Sequence, residues 1–237
     1  MRPKIKQVYF DAGGTLLRPH PSVGAVYSRV AERHGSKISP EDLDHSFRTV
    51  WKKRAGLVHE GEKLTPSDEK RWWHETVRRT FEPFGAPLNF GVFFEDLYYA
   101  FAEPECWMLY PETRAVLERL RTEGYRVSII SNWDSRLRPI CEGLGIAQYF
   151  DHILVSAQVG AAKPHPEIFQ AALKASAADP ACSLHVGDSY EEDVLGARQA
   201  GLQALLLDRH ATERHASAPD RIENLSQMFD HLGARHA

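Results

Sequence analysis

Val8-Tyr9-Phe10-Asp11-Ala12-Gly13-Gly14-Thr15-Leu16-Leu17 runs from apolar, β-prone residues into a carboxylate, two glycines and a threonine. A short apolar run ending at a turn reads as a buried strand, with Gly13-Gly14 as the turn itself. Asp11 then falls at the carboxyl end of a first strand, the edge along which open α/β sheets build their sites. A carboxylate held there suits a nucleophile or a metal ligand. It also suits a plain turn cap.

Three further places carry chemistry of the same kind. Ser131-Asn132-Trp133-Asp134 follows an apolar strand, and a hydroxyl and an amide at a strand-to-helix turn can hold anionic oxygens. Ser131 or Asp134 also fits as an ordinary helix cap. In Lys163-Pro164-His165-Pro166 two prolines stiffen the backbone, and Lys163 places a positive charge just before a helix. That lysine equally fits a solvated surface, and His165 reads as a turn or rim residue. Gly187-Asp188 ends a strand, and Asp193 follows about one helical turn later. Two acids at one strand edge repel unless a cation lies between them, which suits a hard ion such as magnesium. The other reading is an N-capped helix with acids in its first turn.

Alternating strands and helices must position these groups. From about Pro111 the pattern predicts helices opening at Pro111, Ser135, Pro166 and Tyr190, the last running to Ala200. Between them it predicts strands at Arg126–Ser131, His152–Val155, Cys182–Val186 and Gln203–Leu207, and a closing helix at Ile222–Leu232. Such alternation means a parallel sheet covered on both faces. From Ser22 to about Ala102 the period is helical instead, with helix starts at Ser39-Pro40 and Thr65-Pro66 and no convincing strand. The fold class is therefore α/β: a Rossmann-like parallel core, residues 1–17 and 105–237, with an all-helical insertion at 18–104. Trp51, Trp72, Trp73, Phe93, Phe94, Tyr98, Tyr99 and Trp107 concentrate aromatic surface in or beside that insertion. At helical spacing they read as core before they read as a ligand cage. Arg18 and His20 read as linker residues on the hinge into it.

At 237 residues, 43% hydrophobic and 26% charged, the composition is that of an ordinary globular protein. A net charge of −3 with interspersed signs argues against nucleic acid and anionic membranes as partners. Met1 to Lys6 lead directly into the first strand, so no signal peptide is expected. Cys106, Cys141 and Cys182 are odd in number and far apart, which suits a reducing, cytoplasmic setting.

The order Asp11, Ser131-Asn132, Lys163-Pro164, Gly187-Asp188…Asp193, all at strand ends of one sheet, resembles the haloacid dehalogenase superfamily of hydrolases. The helical insertion looks like that superfamily's C1 cap. The Trp72-Trp73 pair and Asn132-Trp133-Asp134 are similar to the subgroup called haloacid dehalogenase-like hydrolase domain-containing protein 3. The resemblance implies Asp11 as nucleophile, Ser131 with Thr15 and Asn132 on the phosphate, and Lys163 neutralising both. It implies Mg²⁺ held by Asp11, Asp188, Asp193 and the Gly13 carbonyl, with a small phosphorylated molecule as substrate.

Family phosphatases carry a second Asp two positions after the nucleophile, and here that position is Gly13. Loss of a general acid-base group typically costs about 10²- to 10⁴-fold in rate. Sugar alkoxides should suffer most as leaving groups, whereas acyl and aryl phosphates need little protonation. The expected function is a magnesium-dependent, phosphatase-like hydrolase of weak or narrow activity. A catalytically reduced ligand- or protein-binding fold is one alternative. A 2-haloacid dehalogenase, whose first motif also lacks that Asp but whose fourth uses no metal, is another.

Overall fold

The computed structural model describes residues 4–53, 56, 57, 61, 63–210 and 220–232. Gln7–Phe10 forms β1, with all four residues buried. Val8 and Phe10 pack into one core cluster and Tyr9 into another, as the alternation of side chains along a strand requires. After the short strand β2 (Leu17–Pro19) the chain leaves for four helices: α1 (Val23–Arg33), α2 (Pro40–Lys53), α3 (Pro66–Phe81) and α4 (Phe90–Ala100). Ser22 caps α1 by accepting from the Ala25 amide, and Thr65 with Asp68 forms a capping box on α3. These helices bury a core of their own around Tyr27, Phe81 and Phe93.

The chain returns through β3 (Trp107–Leu109), which pairs antiparallel with β2 in the register Leu17↔Leu109. The ribbon carries both passages between the helices and the sheet. Nothing in the sequence pattern announces it, since three-residue strands are too short to show a period. Arg18 lies on it and reaches Met108 Sδ across the ribbon at 3.5 Å.

Helices and strands then alternate as α5 (Thr113–Thr122), β4 (Arg126–Ser131), α6 (Leu137–Gly143), β5 (His152–Val155), α7 (Ser156–Val159), α8 (Pro166–Ala175) and β6 (Ser183–Gly187). α9 (Gly196–Gln199), β7 (Gln203–Leu207), β8 (Arg221–Ile222) and α10 (Phe229–Leu232) complete the chain. Six strands form one parallel sheet in the order β5-β4-β1-β6-β7-β8. The chain fills one side of β1 and then the other, so the carboxyl ends of β4, β1 and β6 stand side by side. That is the switch point where open α/β sheets place ligands.

Two expected helices differ. Tyr190–Leu195 is wound as a π-helix before α9, with the Val194 amide reaching the Ser189 carbonyl at 3.3 Å while Asp193 turns inward. The closing helix expected from Ile222 is broken, because the Ile222 carbonyl accepts from the Asp208 amide at 2.8 Å and draws the segment into the sheet as β8. Helix reappears only as a 3₁₀ turn at Leu225–Met228 and as α10. Among the described residues no helix is long and apolar enough to cross a membrane.

α1 and α2 cross at Gly24, whose amide donates to Asp44 Oδ1 at 2.7 Å. A Cβ there would stand 2.0 Å from the Pro40 carbonyl oxygen, a backbone atom that cannot swing away. Gly24→Ala is therefore expected to destabilise the helical unit by about 1–3 kcal/mol. Urea denaturation followed by tryptophan fluorescence checks this; an unshifted midpoint would contradict so close a crossing.

Candidate active site

Asp11 directly follows β1 and is nearly buried. Among the described residues both hydrogen bonds to its carboxylate fall on Oδ1, from Ser131 Oγ at 2.9 Å and from Lys163 Nζ at 2.6 Å. The same ammonium donates to Asp193 Oδ1 at 2.6 Å. Asp193 also accepts from His185 Nε2 at 2.9 Å and from the Ser189 amide at 2.9 Å. A carboxylate only accepts, so the buried imidazole carries its proton on Nε2. Carboxylate oxygens of Asp11, Asp188 and Asp193 lie within 4.8 Å of one another.

The charges follow from burial and proximity. Burial pushes the Asp11 carboxyl up from its ordinary value, the Lys163 charge pulls it back, and Asp193 adds to the rise. Burial alone would raise Asp193 as well, but Lys163 and His185 outweigh it and hold it below the usual carboxylate range. Burial likewise opposes charge on Lys163, yet Asp11 and Asp193 overcome it and keep the ammonium protonated. Asp188 faces the open cavity, but the surrounding walls exclude much of the bulk solvent. That desolvation, with the charges of Asp11 and Asp193, raises it from 3.8 to about 7.

Asn132 is placed less as an anion ligand than as a fastener. Its Oδ1 accepts from the Lys163 amide at 2.7 Å, and its Nδ2 donates to the Lys163 carbonyl and to Glu192 Oε2. Thr15 stands apart from the other expected phosphate ligands. Among the described residues its buried hydroxyl has no hydrogen-bond partner, and the residue does not line the cavity. The turn explains this: Leu16 and Leu17 amides both donate to the Ala12 carbonyl, which winds the chain away from Asp11. Gly14, at φ +82°, lets Asp188 approach until a Cβ would meet Asp188 Oδ2 at 2.3 Å. Gly13 lines the cavity beside Asp11.

A cavity of about 610 Å³ separates these groups from the helical insertion. Asp11, Ser131 and Asp188 form its floor, and Trp51, Trp72, Trp73, Phe94, Tyr98 and Trp107 belong to its walls. These aromatics are thus more than helical core, as their spacing alone suggests. Phe93 is core, and Tyr99 is exposed elsewhere.

Several contacts at or near the site give no local signal in the sequence. Trp73 Nε1 donates to Asp134 at 2.6 Å, Ser135 donates through its amide and hydroxyl to Glu69, and Arg136 donates to the Tyr98 carbonyl at 3.0 Å. The loop after Ser131 therefore grips the insertion. Arg209 donates to the Thr15 carbonyl at 2.8 Å and to Glu112 at 2.6 Å, steadying the turn after Asp11. Its place just beyond Gln203–Leu207, at the same sheet edge, is the signal that could have found it.

The model for the haloacid dehalogenase-like hydrolase family matches residues 5–201. The chain is similar to haloacid dehalogenase-like hydrolase domain-containing protein 3 of Danio rerio, 32% identical over 99% of this chain and 98% of that one. It is also similar to glyceraldehyde 3-phosphate phosphatase of Methanothermobacter thermautotrophicus, 34% identical over 96% of this chain and 100% of that one. A solved phosphatase from Thermococcus onnurineus, described as a HAD phosphatase, aligns with a TM-score of 0.69 at 26% identity. That alignment covers 98% of this chain and 100% of the other.

The clustered carboxylates have a measurable consequence without any ligand. Between about pH 4 and pH 7 the folded chain keeps a proton on Asp188 that the unfolded chain has released. The stability this group contributes is therefore lost as pH rises through 7. Asp188→Asn in EDTA at pH 8 is expected to raise Tm, by roughly 2–4 °C at this chain size, and the two proteins should converge below about pH 4, where Asp188 is protonated in both states. Differential scanning fluorimetry checks this; equal Tm values at pH 8 would refute the upward shift that desolvation and the neighbouring carboxylates give Asp188.

Proposed function

Because the chain belongs to the haloacid dehalogenase-like hydrolase family, we propose that it hydrolyses phosphoryl compounds through an aspartyl-phosphate on Asp11, with magnesium as its cation. The observation that carries this reading is the Lys163 ammonium bridging Asp11 and Asp193 at 2.6 Å each, beside a third carboxylate, Asp188. The donor set fits a hard divalent ion: three carboxylates converge on one point, and the turn at Gly14 leaves Asp188 free to approach. Asp11, Asp188, Asp193 and the Gly13 carbonyl are the groups that would hold it. Bound there, the cation would supply positive charge against the phosphoryl oxygens.

The chain's own groups account for the rest. Ser131 and Lys163 fix the Asp11 carboxylate through Oδ1. Attack by its other oxygen on phosphorus breaks the bond to the leaving group, which departs with the electron pair. Lys163 and Ser131 stand where negative charge builds up, already oriented, so little reorganisation is needed. Water then hydrolyses the aspartyl-phosphate, which frees inorganic phosphate and restores Asp11. With glycine at position 13, proton delivery to the leaving oxygen falls to solvent, and turnover of poor leaving groups is slow. The relative described as glyceraldehyde 3-phosphate phosphatase supports phosphoester chemistry. A metal-free dehalogenase reading would leave the repulsion between Asp188 and its neighbours without an offset.

Acetyl phosphate with Mg²⁺ is expected to release inorganic phosphate, EDTA to stop it, and Asp11→Asn to reduce it by about 10⁴-fold or more. Rapid quenching should trap a hydroxylamine-sensitive phosphoprotein on the wild type alone. Neither phosphate nor phosphoprotein in the presence of Mg²⁺ would refute the reading.

A further inference from the structure

The space beside Asp11 into which a side chain at position 13 would project is already filled. A Cβ on Gly13 would lie 2.9 Å from Cζ3 of Trp133, whose indole packs on Trp107 with ring centroids 5.0 Å apart. Both rings line the cavity. Further out, Trp51 stacks on Trp73 at 6.0 Å and on Phe47 at 5.5 Å, and remains 48% exposed. Among the described residues, every lining position supplied by the helical insertion is uncharged.

Arg136 is the one cation among the described lining residues. Its guanidinium is already committed to Asp134 at 2.6 Å and to the Tyr98 carbonyl at 3.0 Å. Among the described lining residues a second anionic group on a ligand would therefore meet no uncommitted cation. An organic group attached to a phosphorus atom at Asp11 has this cavity as its open volume, and about 610 Å³ is within the range that encloses a small organic ligand.

We propose that the site takes aryl phosphates, with the phosphoryl group against Asp11, Ser131 and Lys163 and the aromatic ring among Trp51, Trp73, Trp107 and Trp133. The proposal rests on the phosphoryl chemistry above and names its substrate class. Flat rings stack on indoles in offset or edge-on geometry, and the cavity offers several such faces. When Asp11 attacks, the phosphorus–oxygen bond breaks and a phenolate leaves with the electron pair. It takes its proton from solvent, so no acid is required where Trp133 stands.

The test measures binding apart from turnover. Calorimetry with Mg²⁺ is expected to show 1-naphthylphosphonate binding about 10- to 100-fold more tightly than methylphosphonate, the gain from burying one aromatic group. Trp51→Ala should cut that ratio about tenfold, and Trp51→Phe should retain most of it. In parallel, 1-naphthyl phosphate should exceed glycerol 3-phosphate in kcat/KM by about 100-fold or more, since the latter's alkoxide needs a proton. Equal affinity for the two phosphonates, or a ratio untouched in Trp51→Ala, overturns the assignment. Turnover of acetyl phosphate without any aryl preference also overturns it and leaves the hydrolase reading standing. Aryl preference in binding, with no phosphate released from any compound, supports the aromatic site and sinks the hydrolase reading instead.

Discussion

The structure turns on one buried ammonium. Lys163 Nζ sits between Asp11 and Asp193, with its side chain 1% exposed and 2.6 Å to each carboxylate. Taking three charges out of water is costly, and their mutual attraction offsets that cost only when geometry is tight and the remaining polar atoms are satisfied. Ser131 and His185 each supply a further bond, and Asn132 ties down the Lys163 backbone on both its amide and its carbonyl. Removing one member of such a cluster typically costs about 3–5 kcal/mol, because a buried charge is left without its partner. Strands β1, β4 and β6 each place one end of this arrangement, so the sheet order and the ion cluster enforce each other.

The same constraint reaches the helical insertion. Four residues after Ser131 the chain has already passed Asp134, which accepts from Trp73, and Ser135, which donates to Glu69. Arg136 then lies over the Tyr98 ring at 4.0 Å while bonded to that residue's backbone. Asp134 is fully buried and Arg136 nearly so, which makes this pair stronger and less screened than an exposed ion pair. One loop therefore sets both the hydroxyl beside Asp11 and the height of the aromatic roof above it. The insertion and Ser131 are thus linked through the contacts of Asp134, Ser135 and Arg136.

Much of this was legible in the sequence, and the reason is geometric. Apolar runs ending in polar residues mark the carboxyl edge of a parallel sheet, so Asp11, Ser131, Asp188 and Asp193 declare their neighbourhood without any knowledge of contacts. Lys163 was legible only through its company, since nothing local distinguishes it from a solvated lysine. Contacts distant in sequence were not legible: Arg209 with Thr15, Glu69 with Ser135, and Trp133 with Gly13 are separated by long stretches of chain. The β2–β3 ribbon was too short to show a period. The placement of Thr15 was not legible because it depends on the turn geometry, which two backbone bonds to the Ala12 carbonyl decide. The aromatics of the insertion were ambiguous for a different reason. A helix face that packs on neighbours and one that roofs a cavity have the same spacing, and Trp73 does both.

On the proposed phosphoryl mechanism, Gly13 and Trp133 would let a site keep one half of the chemistry and give up the other. Every group that neutralises charge around Asp11 is held by at least one hydrogen bond or ion pair to a buried neighbour. The position from which a proton could be delivered is occupied by an indole with no acidic proton to give. Charge neutralisation and proton delivery are separable in phosphoryl transfer, because the first acts on the phosphoryl oxygens and the second on the leaving atom. A site with only the first would discriminate by what leaves as well as by what binds, and under the proposed aryl phosphate reading the aromatic wall would make both criteria favour the same molecules. Glycine at position 13 and tryptophan at position 133 are therefore best understood as one feature: each is permitted by the other, and replacing either alone would leave a void or a clash beside the nucleophile.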